Sequence, residues 1–207
     1  MEPVADGHSI VAVGAWNAAI FTPEWITGRL TQATDVILEV PVNNPGLTPR
    51  LRFDEIIVQV RLDRLIIGPH EVRDDLLMRT QEVAIKVLAE LPHTPVRAVG
   101  VNFQYDESDP SDQLLAPFQL NDQGMLGDAG ASIRTTSIKR SLESNDQLVN
   151  FTLDLLENGH VNIAFNFHQE APNADAVRQY LDTGILNLRN QAIALLTAAY
   201  EIDQIGD

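Results

Sequence analysis

The feature that most constrains the fold is a pair of alternating segments, 148–155 and 160–168, joined by a short polar turn. A period of two is that of a β-strand with one buried face and one wet face. The two segments are therefore predicted to form an antiparallel hairpin. Its inward side chains are Val149, Phe151, Leu153 and Leu155 in the first segment and Val161, Ile163, Phe165 and Phe167 in the second.

The turn between these strands determines their register. A two-residue turn would pair Leu155 with Asn162 and set an apolar side chain opposite a polar one on the same face. A three-residue loop over 157–159, with Gly159 in the left-handed conformation, pairs Leu155 with Val161 instead. We expect this second register because it keeps every apolar pair on one face.

A long helix is expected after the hairpin, from the capping sequence at 172–175 to about Tyr200. Its apolar stripe suits either a coiled-coil seam between two copies or a helix that lies on its own sheet, and flanking apolar residues favour the second. Gly184 costs about 1 kcal/mol of helix propensity relative to alanine. The stripe consists of Leu181, Ile185, Leu188, Ala192, Leu195, Ala199 and Ile202.

The remaining segments show the same order of elements in both halves of the chain. The first half has predicted strands at 8–15, 35–42, 51–62 and 64–68, a short helix at 23–30 and a long helix at 72–91. The second half has a strand at 95–105, a helical turn at 112–118 and a strand at 131–142 before the hairpin. In the strand at 35–42, the side chains expected to face the core are Val36, Leu38, Val40 and Val42.

The order β-α-β-β-β-α therefore occurs twice, which suggests an internal duplication. Two Ala-Val-Gly triplets, at 12–14 and 98–100, open the two units. The expected fold class is α+β, with a largely antiparallel sheet or sheets covered by two long helices. We expect one pseudo-symmetric domain built from the halves 1–94 and 95–207.

The net charge of the chain limits the kinds of molecule that it is expected to bind. The chain has 29 acidic and 14 basic residues, a net charge of −15, whereas nucleic acids and anionic membranes are bound by clusters of Lys and Arg. The excess is −4 over residues 1–103 (13 acidic, 9 basic) and −11 over residues 104–207 (16 acidic, 5 basic). Such a charge serves solubility or provides an acidic face for a basic partner.

Neither a membrane segment nor a thiol site is expected. No apolar run approaches the ~20 residues that cross a bilayer, and the first residues do not resemble a signal peptide. We therefore expect a cytoplasmic location. The chain has no cysteine, so disulfides and thiolate metal sites are excluded.

No motif of catalysis, metal binding or cofactor binding is found. The acidic stretch 106–112 lacks the EF-hand pattern of calcium ligands. Ser111 within it is better explained as the residue that caps the start of a helix. The glycines of 124–130 lack phosphate-loop spacing, so this segment is expected to be a flexible loop that orders on binding. No His-Glu-x-x-His pattern joins the five histidines, which are His8, His70, His93, His160 and His168.

Two features remain as candidate partner-binding sites, in addition to Leu188 of the helix stripe. The stretch 16–25 holds both tryptophans, Trp16 and Trp25, which serve either core packing or a partner anchor. The outward face of the hairpin is rich in amides, and its candidates are Asn150, Asn162 and Asn166.

The function we expect is a non-enzymatic interaction or assembly subunit of a cytoplasmic multi-protein complex, binding through its acidic surface or its long C-terminal helix. A protein partner, a homodimer or both are expected, without cofactor or metal. The alternative is a small-ligand binding protein or enzyme with a pocket between the two halves. The nearest polar candidates for that pocket are His93, Asn102 and Tyr105.

Overall fold

In a computed structural model, which describes residues 1–33, 35–40, 48–144 and 147–202, the chain forms a ten-stranded antiparallel sheet and α-helices. The strands are β1 Glu2–Pro3, β2 Ser9–Gly14, β3 Ile37–Glu39, β4 Arg50–Phe53, β5 Ile56–Val60, β6 Arg64–Pro69, β7 Val96–Glu107, β8 Thr136–Ser144, β9 Gln147–Leu155 and β10 Val161–Glu170. The helices are α1 Pro23–Arg29, α2 Asp74–Glu90, α3 Asp112–Leu115, α4 Gln123–Asp128, α5 Ala174–Leu181 and α6 Ile185–Tyr200. Short 3-10 turns occupy Ala5–Gly7, Ala18–Ile20 and Ala116–Phe118.

The sheet confirms the α+β class. Its strand order is β3-β4-β5-β6-β2-β7-β10-β9-β8, and β1 pairs with the far end of β7. The opening strands of the two halves, β2 and β7, lie side by side at the centre, and each pairs on its other side with the last strand of its own half. This order is compatible with the duplication, which stays a prediction.

The hairpin has the predicted register, in which apolar side chains pair with apolar side chains on one face. Leu155 pairs with Val161, and the three other apolar pairs follow along β9 and β10. The amide of Leu156 donates to the carbonyl of His160 at 2.9 Å, which closes a three-residue loop, and Gly159 has φ +85°. The inward side chains of both strands, Leu155 apart, lie in the core, which α2, α5 and α6 help to enclose.

The helix starts carry the expected caps. The hydroxyl of Thr22 accepts from the amide of Trp25 at 3.2 Å, and that of Ser111 accepts from Leu114 at 3.3 Å. The side-chain oxygen of Asn173 accepts from the amide of Ala176 at 2.9 Å. Each cap satisfies an amide that has no partner within its own helix.

The predicted single helix after the hairpin is wrong, because the chain breaks into α5 and α6 at Gly184. Gly184 has φ +91°, a backbone conformation that glycine adopts without steric cost. The predicted heptad stripe also changes: Ala199 is exposed, and Leu196 and Tyr200 are buried with Leu188. A wider face of this kind packs on a sheet.

Two strands of the first half also differ from expectation. The segment 51–62 is a hairpin, since β4 and β5 are joined by Asp54 and Glu55, both with positive φ. The segment 35–42 contributes only the short edge strand β3. Leu38 pairs with the buried Leu51 and therefore lies on the core side of the sheet, as predicted, but at the sheet edge it is 57% exposed. Val40, which follows β3, is also 57% exposed, and Val42 lies outside the described residues.

Leu188 gives a test of helix packing. Its side chain is 1% exposed, so Leu188→Glu buries an unpaired charge and should destabilise the fold by about 3–5 kcal/mol. Urea denaturation followed by circular dichroism measures this loss. The matched control is Ala194→Glu at an exposed position of the same helix, which should leave the midpoint nearly unchanged; equal midpoints for both variants would contradict this packing.

Candidate functional site: the polar face and free edge of the sheet

A row of polar side chains crosses the face of the sheet opposite the core. Asn150 Nδ2 donates to Asn166 Oδ1 at 3.3 Å, and Asn166 Nδ2 donates to Asn102 Oδ1 at 2.7 Å. The row ends at hydroxyls on both sides: Asn102 Nδ2 donates to Ser9 Oγ at 3.2 Å, and Ser141 Oγ donates to Asn150 Oδ1 at 2.9 Å. This amide ladder links β2, β7, β10, β9 and β8.

The ladder needs a small residue beside it. A Cβ on Gly100 of β7 would collide with Nδ2 of Asn166, so glycine lets this amide lie across the strands. Asn162, a candidate on the same face, pairs across the sheet with Asp154 and Asp106, four residues along β10 from Asn166. Because the ladder amides bond to one another, they hold this face in a fixed arrangement.

The tryptophans pack with the core. Trp16 is 3% exposed, and its indole N–H donates to the carbonyl of Ala12 at 2.9 Å. Trp25 is half-buried, with its ring 5.0 Å from that of Phe21. Leu188 is buried too, so of the three apolar candidates for partner binding only Trp25 has a partly accessible side chain.

The three residues proposed for a pocket between the halves are not brought together. Asn102 lies in the amide ladder, whereas Tyr105 points to the opposite face of β7 and is buried beside His8. His93 is exposed in the connection between α2 and β7. Asn102 does line a shallow cavity of about 280 Å³ together with Ser9 and Asn166, and this cavity straddles the two halves.

His8 is a buried histidine that its sequence context does not single out. Its Nδ1 lies 2.9 Å from the carbonyl of Val4, and its ring meets Phe103 and Tyr105 edge-on. Burial lowers the pKa of His8 to about 4, and the charge of Arg189 acts in the same direction. Burial also raises the pKa of Tyr105 to about 12. Both side chains are therefore neutral near pH 7.

The last strand of the sheet, β8, has a free edge. All nine residues of β8 pair with β9 in one continuous register, and no other strand of the described residues pairs with β8. Its inward side chains Ile138 and Leu142 are half-buried. The side chains that share the face of the amide ladder are Ser137, Lys139, Ser141 and Glu143.

The opposite edge of the sheet is built differently. There β3 has three residues, and Glu39 binds two arginines of β4, with Nε of Arg50 at 2.5 Å and Nε of Arg52 at 3.0 Å. A short edge strand offers little backbone to another chain. The long free edge of β8 is therefore the stronger candidate for an interaction site.

Comparison of the chain with protein-family models, curated proteins and solved structures gives no match. Within the described ranges, no helix has the length and apolar character needed to cross a membrane. The described part of the chain also contains no group of three or more His, Asp or Glu side chains placed to hold a metal ion.

His8 predicts a pH dependence of stability. Because its folded pKa, about 4, lies below the ordinary value of 6.5 for histidine, the unfolded chain takes up a proton first as the pH falls. The stabilisation is complete above pH 6.5 and is lost between pH 6.5 and pH 4, by roughly 3 kcal/mol in total.

Urea unfolding of the wild type and of His8→Gln at several pH values between 7.5 and 4.5 measures this dependence. The carboxylates titrate in both proteins, so the difference between the two curves isolates His8. The free energy of unfolding of the wild type should fall more steeply toward acid. Parallel curves would show that His8 titrates alike in the folded and unfolded chains.

Proposed function

We propose that this protein is a non-enzymatic assembly subunit that associates with a second copy of itself through the edge of β8. The observation that carries the proposal is the nine-residue strand whose outer edge pairs with nothing in the described part of the chain. Every second residue of such an edge presents an unpaired N–H and C=O to solvent. An edge of this kind is a template for another strand.

The edge lacks two of the features that usually prevent strand addition, a proline and a β-bulge. β8 contains no proline, and its pairing with β9 continues without a bulge from Thr136 to Ser144. Three charged residues lie on it, and they are of both signs: Lys139, Arg140 and Glu143. Mixed charges of this kind favour a partner edge that carries the complementary order.

A second copy supplies that complementary order. Two antiparallel β8 strands related by a two-fold axis through Ser141 place Lys139 opposite Glu143 of the second copy, and the symmetry repeats this pair. An axis through Lys139 or through Arg140 would instead set like charges opposite each other. Since opposite charges across a strand pair stabilise it and like charges destabilise it, the axis through Ser141 is favoured.

Parity supports the same arrangement. With the axis at Ser141, residues of odd number pair with residues of odd number, so the ladder faces of both copies lie on one side of the joined sheet. Arg140 then lies beside Leu142 of the second copy on the core side. An interface of this type is isologous, so the same surface of both copies is used and association stops at the dimer.

Overall charge limits which surfaces can associate. The net charge of −15 opposes the approach of two copies in general. β8 is an exception, because Lys139 and Arg140 are two of the five basic residues in 104–207. The proposed interface is the edge of β8 and not the C-terminal helix, because Leu188 of that helix lies in the core.

Charge exchange at two positions tests the proposal. Lys139→Glu and Glu143→Lys each replace two attractive pairs with two repulsive ones, so each should weaken dimerisation at least about tenfold. The double variant Lys139→Glu with Glu143→Lys restores opposite charges and should dimerise like the wild type. Sedimentation equilibrium at low salt over a range of concentrations measures the dissociation constant against the monomer mass of 22.9 kDa.

A mixture of the two single variants provides the most discriminating test. One copy then carries two acidic residues at these positions and the other carries two basic ones, so a mixed dimer should form more tightly than either variant alone. Arg178→Glu on α5 serves as a control for net charge. A monomeric wild type, or single variants that dimerise like it, would overturn the proposal.

A further inference from the structure

A second concave site lies on the ladder face of the first half, far along the sheet from β8. It is a cavity of about 570 Å³ bounded by the 3-10 turn Ala5–Gly7 on one side and by β3 on the other. Outward side chains of neighbouring strands form its floor, namely Ile57 and Gln59 of β5 and Ile66 of β6. Its volume falls in the range of small-molecule sites, roughly 300–1,000 Å³.

Most charges at this cavity are already paired. The carboxylate of Glu39 accepts from Nε of Arg50 and of Arg52, and the hydrogen bond from Arg50 is the main reason that its pKa is lowered. The exposed carboxylate of Asp6 lies 3.5 Å from Nη1 of Arg50. These groups form a chain of ion pairs that joins the two sides of the cavity.

Arg61 is different, because it follows β5 at the cavity wall without an ion pair of its own. The pKa of Asp63 is lowered mainly by the hydrogen bond from Arg64, and the charge of Arg61 contributes to this shift from a longer distance. No carboxylate of the described residues lies within salt-bridge distance of it, and its Nε is buried without an acceptor. Its Nη1 and Nη2 are not buried and make no hydrogen bond within the described residues, so they are the donors that a ligand can reach. The guanidinium also presents a planar fork of donors that matches a carboxylate.

The rest of the wall defines the ligand class. Ile66 provides apolar surface two residues along β6 from Arg64, the cross-strand neighbour of Arg61, and Ile57 extends this surface toward the far end of the cavity. A bare inorganic ion would leave this surface uncovered. Asp6 and Glu39 on the rim repel a second negative charge. A ligand with one negative group and an apolar body satisfies both conditions.

We propose that this cavity binds a small organic monocarboxylate, whose carboxylate contacts Arg61 and whose aliphatic or aromatic body lies over Ile66 and extends toward Ile57. The proposal goes beyond the assembly function and does not depend on it. The β8 edge and this cavity lie toward opposite ends of the strand order, so failure of one leaves the other in place.

The probe is naphthalene-1-carboxylate, and the neutral naphthalene-1-carboxamide is its matched control. Isothermal titration calorimetry of the full chain should show saturable binding of the carboxylate and at least tenfold weaker binding of the amide. Arg61→Gln should lower the affinity for the carboxylate at least tenfold. Arg29→Gln, which removes an equal charge from α1 where Arg29 pairs with Glu90 at 2.8 Å, should bind like the wild type.

Thermal unfolding of both variants separates a lost contact from a lost fold, and both should unfold near the wild-type temperature. If Arg61→Gln unfolds early, Arg61→Lys replaces it: the lysine keeps the charge but lacks the planar fork, and should bind several-fold more weakly than arginine. Absence of wild-type binding, equal affinity for acid and amide, or undiminished binding by the Arg61 variants would each overturn the proposal.

Discussion

The structure depends on the pairing of β7, because this strand joins the two halves of the sheet. It bonds to β2 and β1 on one side and to β10 on the other. Its odd-numbered residues Val99, Val101 and Phe103 are fully buried, whereas Asn102 between them lies in the amide ladder. One strand therefore supplies the core and the polar face, and a slip of one residue would exchange them.

Within the described ranges, no long helix covers the polar face of the sheet, and β8 at one end has no second partner strand. Both proposed sites use these open parts of the sheet: β8 offers unpaired backbone, and the cavity at Arg61 offers a guanidinium without an ion pair beside a partly apolar floor. Each site departs locally from the strongly acidic average of the chain, which is why charge exchange at Lys139 and neutralisation at Arg61 are informative changes.

Most predictions from sequence that rest on a local physical signal succeeded, whereas features that depend on distant contacts were not predicted. Parity alone determined the register of Leu155 with Val161, and side-chain chemistry determined the cap at Asn173. The hairpin inside 51–62 carried a signal that was missed: buried residues change from odd to even numbers between Phe53 and Ile56. The cavity at Arg61 carried none, because its walls come from separate strands.

By itself, the sequence determined the α+β class, the apolar faces of the two hairpin strands β9 and β10 and the exclusion of thiol chemistry, since these follow from residue period and composition. Only the tertiary structure decided that Leu188 faces the core, that Asn102 and Tyr105 lie on opposite faces, and that β8 ends the sheet. The reason is physical. Periodicity states that a residue is buried, whereas the surface that buries it is supplied by strands and helices far away along the chain.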